Sequence, residues 1–348
     1  MRPEIRDGRD SAGLRHTGVV ATGIGSWPGA DIREALRVIR GELASGAVPE
    51  GVLGLPYLPE LPARGPGADM IGRAAHLLVD LPVDLQPQGW RLVDRPGRDA
   101  ERAASLWRQD LDELAEAFDG YVGPLKVQVA GPWTLAAALW RPLGDRVLDD
   151  PGAVRDVVAS LAEGVAGHLA RVQALIPGAE LVLQVDEPSL TAVLLGRIRS
   201  ESGYRTLRTP ERGEAVAALA RVLDQAADQA PVCGVHTCAG DPPVSVLTEA
   251  GAGFLALDVS LVGEPGWEEI ALAVEGGRQL WAGLDLTAGD VDAGLLRRWS
   301  ELGLPLSVLK DLGVTPTCGL AGMTPEQARS LTAATVTAAA RLAERALA

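Results

Sequence analysis

Eight short apolar runs, each closed by polar or glycine–proline residues, constrain this chain more than any other feature. They lie in Thr17–Gly25, Val48–Leu58, Leu125–Ala130, Leu181–Val185, Val232–Val235, Phe254–Leu257, Leu280–Leu284 and a short stretch near Val314. Helical spacing fills much of the chain between them: Asp31 to about Leu43, Ala100–Phe118, Pro151–Ile176 and Thr209–Ala230. A final helix starts at Thr324 as N-cap, with Pro325 in the first turn and Gln327 at the capping-box position, and runs almost to Ala348. Short, continuously apolar strands alternating with helices are the pattern of a buried parallel sheet. The expected fold is therefore α/β, a single (β/α)8 TIM barrel spanning 17–348, after a flexible tail at 1–16. A doubly wound dinucleotide fold fits less well. Thr22-Gly23-Ile24-Gly25-Ser26 begins like a glycine fingerprint, but Trp27-Pro28 replaces its remainder.

Composition narrows the function class. The net charge of −14 disfavours nucleic acid and anionic membranes, both of which need basic patches. No apolar stretch is long enough to span a bilayer, and Met1–Arg15 lacks the apolar segment of a signal peptide. Three cysteines without scaffold spacing fit a reduced, cytoplasmic protein whose thiols are ligands or core rather than bridges. Only two lysines are present, Lys126 and Lys310, and neither stands in a setting that suggests Schiff-base chemistry.

Chemistry-bearing residues gather where strands end. Ser26, Asp186, Glu187, His236, Cys238, Asp258, Asp285 and Cys318 all follow apolar runs, and in a barrel those ends converge on one mouth. Along Pro231–Asp241, His236 and Cys238 are two apart and share a side, while Cys233 points the other way and reads as a core thiol. An imidazole and a thiol so placed can grip zinc, which takes four ligands. Asp258 and Cys318 could complete the set, although no local motif links them. Blander readings stand beside these. Glu187 can simply anchor the turn at Pro188, and Asp285 can cap the following helix. His16, His76 and His168 read as surface or packing residues, and Trp133, Trp140, Trp267 and Trp281 as packing.

Six segments together resemble the C-terminal catalytic domain of cobalamin-independent methionine synthase. They are Thr22–Pro28, Ala130–Thr134, Gln184–Pro188, His236-Thr237-Cys238, Asp258-Val259-Ser260 and Pro316–Leu320, in order over nearly the whole chain. The resemblance implies a zinc barrel without the family's N-terminal barrel. It carries the zinc ligands to His236, Cys238 and Cys318, with Asp258 where the family has a Glu. It places homocysteine on Ile24, Gly25, Ser26 and Asp186, the last as the carboxylate for the substrate ammonium and the residue assigned to catalysis. Zinc bound to a substrate thiol keeps the sulfur deprotonated and nucleophilic towards a methyl donor.

Two departures bear on that donor. The family's polar segment after the second strand is reduced here to Asp69-Met70 within Pro59–Met70. Its histidine beyond the seventh strand, which the resemblance would make the acid for a folate leaving group, is Thr287. The expectation is a zinc-dependent methyltransferase acting on homocysteine, with a methylcorrinoid protein as donor rather than methyltetrahydrofolate. Alternatives are a related corrinoid:thiol or epoxide:thiol alkyltransferase, a non-catalytic zinc-binding barrel, and, last, a decarboxylase of the uroporphyrinogen type.

Overall fold

A computed structural model describes residues 18–44, 46–287 and 291–347. The tail expected at 1–16, with His16, lies outside them. The strands in chain order are β1 (Val19–Ala21), β2 (Val52–Gly54), β3 (Val83–Gln86), β4 (Gly89–Leu92), β5 (Gly123–Ala130), β6 (Ala179–Asp186), β7 (Val232–Thr237), β8 (Phe254–Asp258), β9 (Gln279–Leu284) and β10 (Gly313–Pro316). Eight of them form one parallel sheet in the order β2-β1-β10-β9-β8-β7-β6-β5. Helices follow the strands and cover the outside.

The sheet curls until its two edge strands meet. Beyond β2 the chain stays extended and pairs with β5. Lys126 N donates to Pro56 O at 2.8 Å and Leu58 N to Lys126 O at 3.1 Å, around a parallel Tyr57–Lys126 bridge. The prolongations of β1 and β2 also pair, with Trp27 N to Glu60 O at 2.7 Å and Glu60 N to Gly25 O at 3.0 Å. All eight strands expected from the apolar runs are present, and the (β/α)8 expectation holds.

Inside the ring an apolar plug fills the end away from the mouth. Val20, Leu55, Val182, Val232, Phe254, Ala256 and Trp281 form it, with the Phe254 and Trp281 rings stacked at 3.6 Å and 7°. Two such rings fit one barrel because glycines face them. A Cβ on Gly234 would lie 2.3 Å from the Phe254 ring, and one on Gly313 would lie 2.5 Å from Trp281. The larger apolar cluster lies outside, between sheet and helices.

Caps fix where several helices begin. Asp31 accepts from Arg33 N and Glu34 N at the start of Ile32–Leu43, and Asp150 from Gly152 N and Ala153 N ahead of Pro151–Leu175. Thr324 and Gln327 close the expected capping box on Pro325–Ala346. Several elements had no expectation of their own, among them two short ones between β2 and β5 in the chain. Asp69 caps a seven-residue helix, Met70–His76, and β3 pairs antiparallel with β4. Both are short, and their apolar residues are too few to set a period.

Overpacking costs about 1–3 kcal/mol in a filled core. Gly234→Ala should therefore lower the unfolding free energy by roughly that amount in urea titrations. Gly213→Ala, on a helix where an added Cβ meets nothing within 4 Å, should leave it unchanged or raise it slightly.

Candidate functional site

The mouth is lined by the C-terminal ends of the strands. In the β6–β7 register Asp186 stands opposite His236, and the two side chains meet. His236 Nδ1 lies 2.8 Å from Asp186 Oδ1, which also accepts from Gln184 Nε2 at 2.7 Å. Both residues are buried. The other ring nitrogen, His236 Nε2, is buried and makes no hydrogen bond among the described residues. Such an atom is costly unless something occupies its lone pair.

Cys238 follows β7 directly, and Cys318 lies two residues past β10. Their sulfurs are 3.1 Å apart. That contact lowers the Cys318 thiol to about 6, helped by the Gly319 amide and opposed by burial. The same contact and burial push Cys238 up. Cys233 is separate: it is buried, donates to Ala230 O at 2.9 Å, and burial raises it to about 12.

Asp258 ends β8, but its Oδ1 accepts from Ser260 N at 3.0 Å and Ser260 Oγ at 2.6 Å, closing a tight turn. Among the described residues no three His, Cys, Asp or Glu side chains are gathered closely enough to hold a metal ion. The donor types at His236, Cys238 and Cys318 suit zinc, and the unpartnered Nε2 suits a ligand role. Both bonds to Ser260 use Asp258 Oδ1 and leave Oδ2 outside them.

The Ile24–Ser26 turn is knitted in on two sides. Ile24 O accepts from Lys126 Nζ and from Gln184 Nε2, each at 2.8 Å. Ser26 O accepts from Leu320 N at 2.9 Å, and Ser26 Oγ from Ala321 N at 3.4 Å. Gly319 packs so close that a Cβ there would fall 2.1 Å from Ser26 Oγ. The β1 turn and the Cys318 loop thus hold each other.

Three polar residues at this mouth were not singled out as site residues in the sequence. Lys126, read there as unsuggestive, is fully buried in the barrel and donates to Gln184 Oε1 at 2.7 Å. Burial lowers it to about 7, against the pull of Asp186 and Glu60. Gln184 bridges Lys126, Ile24 and Asp186. Glu60 is buried with Arg73 Nε at 3.8 Å; burial raises it to about 7, Arg73 opposes, and Asp186 adds to the rise. The signal existed for two of them. Lys126 and Gln128 alternate along β5, as do Gln184 and Asp186 along β6, and polar residues at period two in an apolar barrel strand face inward.

Glu187 takes the bland reading. It is fully buried and accepts from Trp133 N at 2.9 Å, Thr134 N at 2.8 Å and Thr134 Oγ1 at 2.8 Å, so it ties the end of β6 to that of β5. Asp285 Oδ1 accepts from Thr287 N at 3.1 Å and Thr287 Oγ1 at 2.6 Å, a local turn. His168 is buried against Trp107, and Trp133, Trp140, Trp267 and Trp281 are buried, in keeping with packing roles. No described helix is long and apolar enough to cross a membrane.

No protein-family model matches the chain, and no curated protein matches it. Among solved structures, a B12-independent methionine synthase from Shewanella sp. W3-18-1 aligns at 14% identity and TM-score 0.47, covering 68% of this chain and 67% of that one. Morphinone reductase aligns at 13% and 0.43, covering 87% and 82%. A β-glycosidase from Thermosphaera aggregans aligns at 12% and 0.39, covering 94% and 98%. Their names point to different chemistries, and likenesses this weak transfer none of them.

Burial raises Glu187 to about 7, with Asp186 adding to the rise, while its three hydrogen bonds pull the other way. In the unfolded chain it titrates near 4.5. The folded state therefore holds the proton more tightly, and this contribution to stability is full below 4.5 and lost as pH rises through about 7. Denaturation at pH 4.5 and pH 7.5 should give a smaller fall in Glu187→Gln than in the unsubstituted protein. Glu187→Ala, which strands two buried amides, should cost about 2–4 kcal/mol at either pH.

Proposed function

We propose that this protein is a zinc-dependent transferase that moves a methyl group onto the sulfur of an amino-acid thiol, homocysteine being the acceptor the resemblance favours. One observation carries the reading: a buried imidazole with an unpartnered Nε2 stands two residues before Cys238, whose sulfur lies 3.1 Å from that of Cys318. His236, Cys238 and Cys318 would hold the metal, with Asp258 as fourth ligand. Bound zinc would keep a substrate thiol deprotonated at neutral pH.

The chain's own residues would do the rest. Asp186 keeps Oδ2 outside its contacts with His236 and Gln184, and Glu60 lies close enough to feel its charge. These carboxylates suit a substrate ammonium. The Ser26 hydroxyl and the Gly25–Ser26 backbone suit its carboxylate. The acceptor sulfur forms the new S–CH3 bond, and the bond from methyl to donor breaks with its electron pair leaving on the donor. Methyltetrahydrofolate needs a proton on that leaving group. Thr287 does not supply it, because a hydroxyl is no acid near neutral pH and this one already donates to Asp285. A methylcorrinoid leaves without a proton, so it is the donor proposed.

The purified protein should carry one zinc per chain by elemental analysis. Cys238→Ala should lose most of it and Cys233→Ala should keep it; equal content in the two would remove the ligand assignment. With homocysteine and labelled donors, methylcorrinoid should label methionine and methyltetrahydrofolate should give little. Efficient labelling from the folate alone would overturn the donor assignment. Equal use of a thiol lacking the amino group would favour the thiol alkyltransferase alternative.

A further inference from the structure

A continuous run of hydrogen bonds leads from the barrel interior to His236. It starts at Lys126, whose side chain is fully buried among β5, β6 and the extension of β2. Its Nζ is 2.7 Å from Gln184 Oε1 and 2.8 Å from Ile24 O. A lysine amine has only donors to offer here when charged, and its two N–H groups cover both contacts when neutral. The arrangement thus needs no particular charge on Lys126.

We propose that Lys126 and Gln184 are positioning residues which, through Asp186, set the tautomer and ring orientation of His236. An amide has one acceptor end and one donor end. With Lys126 on Oε1, the amide nitrogen of Gln184 must face the other way. There it meets Asp186 Oδ1 at 2.7 Å and Ile24 O at 2.8 Å, which takes up both of its N–H groups. A flipped amide would set oxygen against a carboxylate and a carbonyl, and NH2 against an amine. Lys126 therefore decides the orientation of Gln184, and Gln184 holds Asp186.

The last link comes from the carboxylate. Ionised Asp186 can only accept, so the 2.8 Å contact requires the proton to be on His236 Nδ1. Nε2 is then a bare lone pair in a buried position. In water, neutral histidine favours the opposite tautomer, with its proton on Nε2. The hydrogen-bond run reverses that preference, and a carboxylate behind an imidazole is the usual support of a metal-binding histidine. The consequence for zinc rests on the proposed function; the tautomer does not. A competing role for Lys126, bracing the Ile24 carbonyl alone, would leave His236 indifferent to the loss of Lys126.

Histidine tautomers are read directly by two-bond proton–nitrogen correlation in protein labelled with 15N at histidine. Only four histidines are present, and His236→Gln identifies the signal. In metal-free protein at pH 8 the unsubstituted chain should show His236 protonated on Nδ1. Gln184→Met and Lys126→Met should shift it towards Nε2–H. Gln128→Met, which removes a neighbouring interior bond to Leu58 O outside this run, should not. Nε2–H in the unsubstituted protein would overturn the proposal, and that result needs no variant to fold. Unchanged Nδ1–H in a folded Gln184→Met would overturn it equally. Competition with a chromophoric chelator adds a second readout, with both variants expected to hold zinc roughly 10–100-fold more weakly. Absence of zinc binding by the unsubstituted protein would remove the metal reading and leave the tautomer result standing.

Discussion

The closure between β5 and the chain beyond β2 is the contact on which the rest depends. Lys126 makes it twice over. Its backbone exchanges hydrogen bonds with Pro56 and Leu58 and so joins the two edges of the sheet. Its side chain turns inward from the same point and reaches Ile24 and Gln184. An open sheet would leave β2 and β5 with unpaired backbone groups, and would part the lysine amine from Ile24 O across the seam. Ring and site are therefore completed by one residue, and the barrel cannot loosen at this seam without disturbing the mouth.

The mouth is stiffened from outside by similar means. Glu187 clamps the first turn after β5 to the end of β6, and Gly131 is glycine because a Cβ would fall 2.3 Å from Glu187 Oε1. Glu60 faces Arg73, which together with Arg64 grips the fully buried Asp110 on the helix Arg98–Ala117. A buried carboxylate between two guanidinium groups is strongly destabilised if either partner is lost. The loop after β2, with no sequence period of its own, is held in place by that charge cluster.

How much the sequence disclosed depends on how far each signal reaches along the chain. The strands were legible because each is a local apolar run with a polar stop, and the Thr324–Gln327 cap because its parts lie three residues apart. The hairpin of β3 and β4 was not, since Val83, Leu85, Trp90 and Leu92 acquire meaning only once paired. At the site, His236, Cys238, Asp258 and Cys318 could be singled out by residue type and place. Their commitments could not: Asp186 meets His236 through a register set by two whole strands, and Asp258 turns to Ser260 by a backbone angle no composition discloses. Lys126 was passed over because a lone lysine in an apolar run has no motif; its period-two relation to Gln128 was the available clue.

The stacked rings of Phe254 and Trp281 have a consequence for traffic. They fill the far end of the barrel, so a ligand for His236 has to come from the side of the strand ends. His236 lies inside the strand β7, while Cys238, Asp258 and Cys318 stand at or just past the strand ends. Under the proposed function, acceptor and donor would share that one approach, so the deeper would have to bind first and leave last.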